Sequence, residues 1–223
     1  RNIHYELEGV SNKTREIVVY DDGHGMPKEM LAVAVTWGGT HRQGSRKGFG
    51  KYGYGLPSAC LSLAKKYTSN VYINANRNID RYTNMGLTVW KDELDGYQGP
   101  LAGMYTGIIR SATEYILTFP CDGPFVSEIF FERMLIADNS FEIRSAHDGL
   151  RIQPVYSLLR KGLKDSLKSF IDSGQRKIDK WYNKCDLELV DFSDNKDLFI
   201  NINSPSDLIE YKKLIRENLK NYE

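Results

Sequence analysis

Cysteine is scarce in this 223-residue chain. Cys60, Cys121 and Cys185 stand far apart and are odd in number, which fits neither a disulfide framework nor a zinc-ligand spacing. Long apolar runs are missing too: no stretch approaches the roughly 18 residues needed to span a bilayer, and no basic-then-apolar opening marks a secretory signal. A cytoplasmic protein without a membrane partner is the expectation, although the chain opens with Arg1 in place of Met, which leaves its start processed, trimmed or unobserved. Charge of one sign is also lacking. Thirty Lys and Arg against 29 Asp and Glu give a formal net charge of +1, so no bulk field points to nucleic acid as a partner. What is present, 41% hydrophobic and 26% charged residues, matches a soluble globular chain with room for one α/β domain or two small units.

Short β-branched runs recur along the chain with helical patterns between them: Ile17 to Tyr20, Val71 to Ile73, Leu87 to Trp90, Tyr115 to Phe119, Leu187 to Phe192 and Phe199 to Ile202. Such alternation predicts an α/β fold around a largely parallel sheet. Val155, Leu158, Leu159, Leu163, Leu167, Phe170 and Ile171 keep i, i+3, i+4 spacing, which predicts a helix with one buried face. A last helix is signalled by Ser204 as cap, Pro205 at the first position and Asp207 near the positive dipole end, with Leu208, Ile209, Ile215 and Leu219 on its apolar side. Composition shifts to glycine-rich and basic between Gly38 and Pro57, and a helical stretch, Ser58 to Lys66, follows. If two pieces meet, they meet near Tyr67 to Asn70.

Three polar residues sit just past strand runs: Asn74, Asp92 and Asp122. In parallel sheets the crevice beyond the carboxyl ends of the strands is where ligands bind. A carboxylate at Asp122 could hold a Mg²⁺ that also bridges phosphate oxygens. An Asp followed by Gly123 and Pro124 equally makes a simple turn, and spacing alone leaves both readings open. His147 is the one histidine after residue 70, and surface or core packing is its expected role.

The runs VYINANR (Val71 to Arg77), GPLAGM (Gly99 to Met104), FPCDGPF (Phe119 to Phe125), HDG (His147 to Gly149) and DFSDNKDLFININSPSDL (Asp191 to Leu208) follow one another in order. Together they make residues 71–223 resemble the molybdenum cofactor guanylyltransferases. The resemblance implies a three-layer α/β/α, nucleotide-diphospho-sugar-transferase-like fold with a mostly parallel sheet. It also implies transfer of GMP from GTP to molybdopterin with Mg²⁺, and contact with molybdoenzyme maturation proteins. By the same resemblance Asp122 would be the catalytic, Mg²⁺-binding residue, Asn74 and Asp92 would contact the guanine nucleotide, and Asn201 and Asn203 would lie toward the pterin or phosphate side. The triphosphate loop expected before Asn74 falls at TWGGTHRQGSRKGFGKYGYGLP, Thr36 to Pro57. Gly38, Gly39 and Lys47 match its glycines and its cation, while its spacing and a missing acid before the Lys depart from the family pattern and bear on GTP binding.

Residues 1–70 carry a second resemblance. The run Ile17 to Tyr20 leads into DDGHGMP (Asp21 to Pro27), and GFGKYGYGLPSA (Gly48 to Ala59) comes later. The pair resembles the ATP-binding fold shared by gyrase, the heat-shock chaperone, histidine kinases and mismatch-repair ATPases. That would make Asp21, Gly23 and Gly25 the adenine-facing residues, and Gly50, Gly53 and Gly55 part of a lid over ATP. No upstream helix pattern supplies the acid and Asn such enzymes use, so ATP hydrolysis is not expected. Gly48 to Gly53 also matches GxGxxG but follows a polar run and not a strand, which disfavours a dinucleotide site. Three readings stay open: a guanylyltransferase, an ATP-binding module, and a hybrid with neither site complete. The first accounts for most of the chain.

Overall fold

The computed structural model describes residues 15–20, 63–68, 70–76, 79–84, 86–96, 99–120, 123, 125–135, 140–201, 205–211 and 214. Their strands are β1 (Arg15–Tyr20), β2 (Val71–Asn74), β3 (Thr88–Trp90), β4 (Tyr115–Pro120), β5 (Ile143–His147), β6 (Ile152–Arg160) and β7 (Leu187–Asp191), joined in one sheet in the order β3-β2-β1-β4-β6-β5-β7. Pairings β1–β2, β1–β4, β2–β3 and β5–β7 are parallel, while β6 runs antiparallel to both β4 and β5. The sheet is therefore mostly parallel, as the strand and helix alternation implied. β1 lies upstream of the boundary drawn near 67–70, yet it pairs on both sides with strands from beyond it.

Residues 63–67 are helical, and the further helices among the described residues are α1 (Ile79–Asn84), α2 (Pro100–Arg110), α3 (Glu128–Leu135), α4 (Lys164–Asp172), α5 (Ile178–Tyr182) and α6 (Pro205–Glu210). Successive side chains of a strand point to opposite faces, and the core divides accordingly. Leu117 and Phe119 join Ile73, Phe130, Phe131, Met134 and residues 63–64 on one face, whereas Ile116 joins Leu101, Met104, Ile108, Phe170 and Trp181 on the other. Helices thus cover both faces, giving three layers. Every residue of β4 is buried, as a strand sandwiched between two layers requires. α2 begins with Pro100 at its first position and is buried from Leu101 through Ile108; its small Ala102, Gly103 and Gly107 let it lie close against the sheet.

Two expectations fail here. Val155, Leu158 and Leu159 do not belong to a helix. They lie on β6, and the chain turns helical only at Lys161–Leu163, a single 3-10 turn leading into α4 with Leu167, Phe170 and Ile171. The i, i+3, i+4 count was met by accident because β6 is buried on both faces from Tyr156 to Leu159: Tyr156 and Leu158 enter one core layer and Leu159 the other. Nor does the strand expected over Phe199 to Ile202 form at Phe199–Asn201, since Phe199 closes the 3-10 turn Lys196–Phe199 and Ile200 and Asn201 are irregular; Ile202 falls outside the described residues. At the last helix Pro205 does hold the first position, but Ile209 is 63% exposed and so lies off any buried face. Ser204, Ile215 and Leu219 fall outside the described residues.

Truncating Leu158 or Leu159 to Ala is expected to cost about 2–5 kcal/mol each, from lost transfer energy plus a cavity on opposite sides of the sheet. Ile209→Ala should stay within about 0.5 kcal/mol. Urea unfolding of the three variants measures this.

Candidate functional site

Register aligns the strand ends. Asn74 stands opposite both Tyr20 and Trp90, and Tyr20 stands opposite Pro120, so Trp90, Asn74, Tyr20 and Pro120 form one line across the carboxyl edge of four parallel strands. Asn76, Asp92 and Asp122 each come two residues after that line. β1 has β2 on one side and β4 on the other, and the chain reaches β4 only after passing through β2 and β3. This makes the gap between β1 and β4 a topological switch point, where α/β sheets place ligands.

At the β2 and β3 ends a compact hydrogen-bonded set holds one carboxylate. The Asn74 carboxamide, only 3% exposed, donates to the Trp90 carbonyl (3.1 Å) and to Asp92 Oδ1 (3.0 Å). Asn76 donates through Nδ2 to Asp92 Oδ2 (2.7 Å) and accepts from the Asp92 backbone N–H through Oδ1 (2.9 Å). Both Asn74 amide hydrogens are engaged, as a buried amide requires. Below them, Tyr72 and Trp90 stack with ring centroids 3.8 Å apart, and Ala75 donates to the Trp90 carbonyl (3.0 Å). The loop is pinned from α2: Thr106 Oγ1 accepts from the Glu93 N–H (2.9 Å) and donates to the Ala102 carbonyl (2.8 Å), and Glu93 pairs with Arg110. Asp92 is left half-buried, with one bond to each oxygen of a group that can accept about four. An acceptor held this way suits adjacent N–H or O–H donors on a ligand.

A second concave region lies beyond β4 and β7. A cleft of about 590 Å³ is lined by Phe125, Ser127 and Ile129 together with residues 193–198. Arg133 of α3 holds the second of these stretches with a two-pronged ion pair to Asp194 (2.7 Å at each prong), a bond to the Asp191 carbonyl (2.8 Å), and its guanidinium over the Phe192 ring. The Arg133 bonds keep the Asp194 carboxyl far below the usual carboxylate range. Asp191 is lowered as well, because its carboxylate accepts the Ser193 backbone N–H and hydroxyl.

The tight link between β5 and β6 meets this stretch at Ser193. His147 Nδ1 accepts the Gly149 N–H (3.1 Å), which gives this histidine a turn-forming role. Asp148 accepts from the Leu150 and Arg151 backbone N–H groups (2.8 Å each) and from Gln153 Nε2 (2.7 Å). Gly149 has φ +90°, and a Cβ there would stand 2.7 Å from that of Ser193, so glycine is demanded both by the backbone and by the close approach.

The structure therefore brings Asn74 and Asp92 together, and shows that they bind each other. Asn201 is exposed. Asp122, Asn203, Gly38, Gly39, Lys47, Asp21, Gly23, Gly25, Gly50, Gly53 and Gly55 lie outside the described residues. Asn76 and Thr106 were missed by sequence reasoning. Asn76 had a signal, since period two puts it on the same side as Asn74, whereas nothing local marks a helical threonine as a loop anchor. Among the described residues no three His, Cys, Asp or Glu side chains gather as a metal cage, and no helix is long and apolar enough to cross a membrane.

Residues 38–187 match the family model described as "MobA-like NTP transferase domain"; the matched stretch opens at Gly38 and contains Gly48 to Ala59. The chain is 46% identical over 147 residues to the molybdenum cofactor guanylyltransferase of Shewanella woodyi, covering 65% of this chain and 75% of the relative. It is 38% identical over 184 residues to that of Shewanella baltica, covering 81% and 94%. Among solved structures, molybdopterin-guanine dinucleotide biosynthesis protein A from Archaeoglobus fulgidus superposes with a TM-score of 0.63 at 15% identity, over 91% of this chain and 99% of that one. A 4-diphosphocytidyl-2C-methyl-D-erythritol synthase from Anaerococcus prevotii gives 0.62 at 12% identity, over 92% and 97%. At such identities the two structures speak for the nucleotidyltransferase-like fold alone.

Acid should loosen the β5–β6 turn. Burial alone would raise the Asp148 carboxyl, but the Arg151 and Leu150 N–H groups and Gln153 outweigh it and lower it on balance. A carboxyl depressed in the folded state adds stability above its unfolded value, about pH 4, and that contribution is lost as pH falls through the folded value. Asp148→Asn is expected to destabilise at pH 7, with the gap to wild type narrowing below about pH 4. Denaturation midpoints measured from pH 7 to pH 2 test it.

Proposed function

The chain belongs to the MobA-like NTP transferase family, and on that premise we propose that it transfers GMP from GTP to molybdopterin. The carrying observation is the carboxylate of Asp92, held by Asn74 and Asn76 with acceptor capacity left over. Guanine presents neighbouring N1–H and 2-amino donors to such a group; adenine does not present that pair. Discrimination by a fixed polar partner is strong because the wrong base leaves it unpaired.

In the reaction a molybdopterin phosphate oxygen attacks the α-phosphorus of GTP in line. The new P–O bond forms as the α–β bridging bond breaks, and pyrophosphate leaves with the electron pair. The nucleophile is already ionised, so no general base is required and the work of the chain is positioning and charge compensation. Asn74, Asn76 and Asp92 orient the nucleoside. Gly38, Gly39 and Lys47 are assigned to the triphosphate, the glycines by backbone approach and the lysine by charge. That assignment is supported by the family match beginning at Gly38.

A single carboxylate two residues past Pro120 fits Mg²⁺, which commonly takes one or two carboxylates with substrate phosphates. Asp122 would hold the ion, which when bound neutralises developing charge on the phosphate oxygens. Asn201 and Asn203 are assigned to the acceptor side.

Calorimetric titration with GTP and with ATP, and pyrophosphate release upon adding molybdopterin, test the reading. GTP-selective binding and acceptor-dependent release are expected; ATP preference, or no release, sinks it. Asn76→Ala should raise KM for GTP about tenfold by freeing Asp92, the scale of a lost hydrogen bond to a charged group. Asp92→Ala should raise it further, and Asp122→Asn should abolish transfer while GTP binding without metal persists.

A further inference from the structure

Gly123, three residues past the end of β4, meets a tyrosine from β6. Gly123 is buried, and a Cβ placed on it would overlap the Tyr156 hydroxyl oxygen, whereas the ring carbon Cζ would stand 3.4 Å away and Pro120 Cγ 3.6 Å away. The backbone at Gly123 therefore rests against one oxygen atom. The same hydroxyl donates to the Leu198 carbonyl (3.4 Å), 42 residues along the chain. The ring beneath it is locked edge-on between Phe130 and Phe199, with centroids 5.6 and 5.0 Å away, and Tyr156 is 3% exposed. With χ angles held by packing on both sides, the oxygen acts as a fixed spacer.

On one side of this spacer the chain carries Asp122, the neighbour of Gly123. On the other side Leu198 belongs to the 3-10 turn Lys196–Phe199, two residues before the irregular stretch Ile200–Asn201. Phe125 and Leu198 both line the 590 Å³ cleft. We propose that the Tyr156 hydroxyl is a positioning group of the transfer site, setting the separation between Gly123, whose sequence neighbour is Asp122, and the Lys196–Phe199 turn that leads to Asn201. The inference rests on the transferase reading, in which those two residues serve the triphosphate side and the acceptor side. Tyr156 touches neither nucleobase nor reacting atoms; its effect is on the alignment of the two halves.

A spacer of this kind predicts a split between kinetic constants. Guanine is held at Asp92 on the β2–β3 side, so Tyr156→Phe should leave KM for GTP, and GDP affinity by calorimetry, within about twofold of wild type. The same variant should lower kcat by about tenfold or more, because small misplacements of reacting groups are costly. Gly123→Ala should lower both Tm and kcat by driving Cβ into the hydroxyl. In the double variant Gly123→Ala with Tyr156→Phe the oxygen is gone and Cβ meets Cζ at ordinary contact, so Tm should return to that of Tyr156→Phe alone.

The spacer is overturned if Gly123→Ala is no better tolerated in the Tyr156→Phe background, a result read by melting alone. An active wild type with Tyr156→Phe at wild-type kcat, or with KM for GTP rising in step with the fall in kcat, removes the positioning role and leaves the transferase reading standing. A wild type that releases no pyrophosphate removes both, even where the thermal rescue holds.

Discussion

Parallel pairing of β1 with β2 on one side and β4 on the other is the constraint on which the rest of this structure hangs. Because side chains alternate between faces, a slip of β4 by one residue against β1 would carry Leu117 and Phe119 out of the layer built on Phe130 and Phe131 and push Ile116 into it. Two buried layers therefore hold the register from both sides. The same register places Trp90, Asn74, Tyr20 and Pro120 in one row. Asn76 and Asp92, two positions further on, then meet at that edge of the sheet. The alignment of these strand ends follows from apolar packing without any polar residue having to direct it.

Packing brings the strands to the edge, and three described stretches beyond it are tied to regular elements by specific contacts. Thr106 in α2 holds Glu93 next to Asp92, Arg133 in α3 holds Asp191 and Asp194, and Tyr156 in β6 meets both Gly123 and Leu198. Partly exposed ion pairs such as Arg133–Asp194 contribute little net stability, typically under about 1 kcal/mol. Their effect here is directional: a planar fork against a carboxylate fixes orientation as well as distance. Asn74 illustrates the cost of the alternative, since a buried amide without partners would be strongly unfavourable.

Much of the fold was legible. Strands at Ile17, Val71, Leu87, Tyr115 and Leu187 announced themselves through β-branched and aromatic runs. β6 was not legible as a strand. A strand buried on both faces has no polar alternation, and its apolar positions matched a helical count by coincidence of spacing with α4. Ile200 was misread for the related reason that two apolar residues beside asparagines look like a strand when nothing shows that a 3-10 turn ends at Phe199.

By itself the sequence determined which polar residues would follow the strands, because turns, caps and strand ends are written in a few neighbouring residues. Asn74 and Asp92 could be named as site residues on that basis. Tertiary structure alone decided that these two bind one another across 18 residues, that Asn76 completes their set, and that the residue after Asp122 rests on a tyrosine of another strand. Such facts depend on register and on the depth at which side chains meet. They are fixed by packing between segments remote in the chain, which no local pattern encodes.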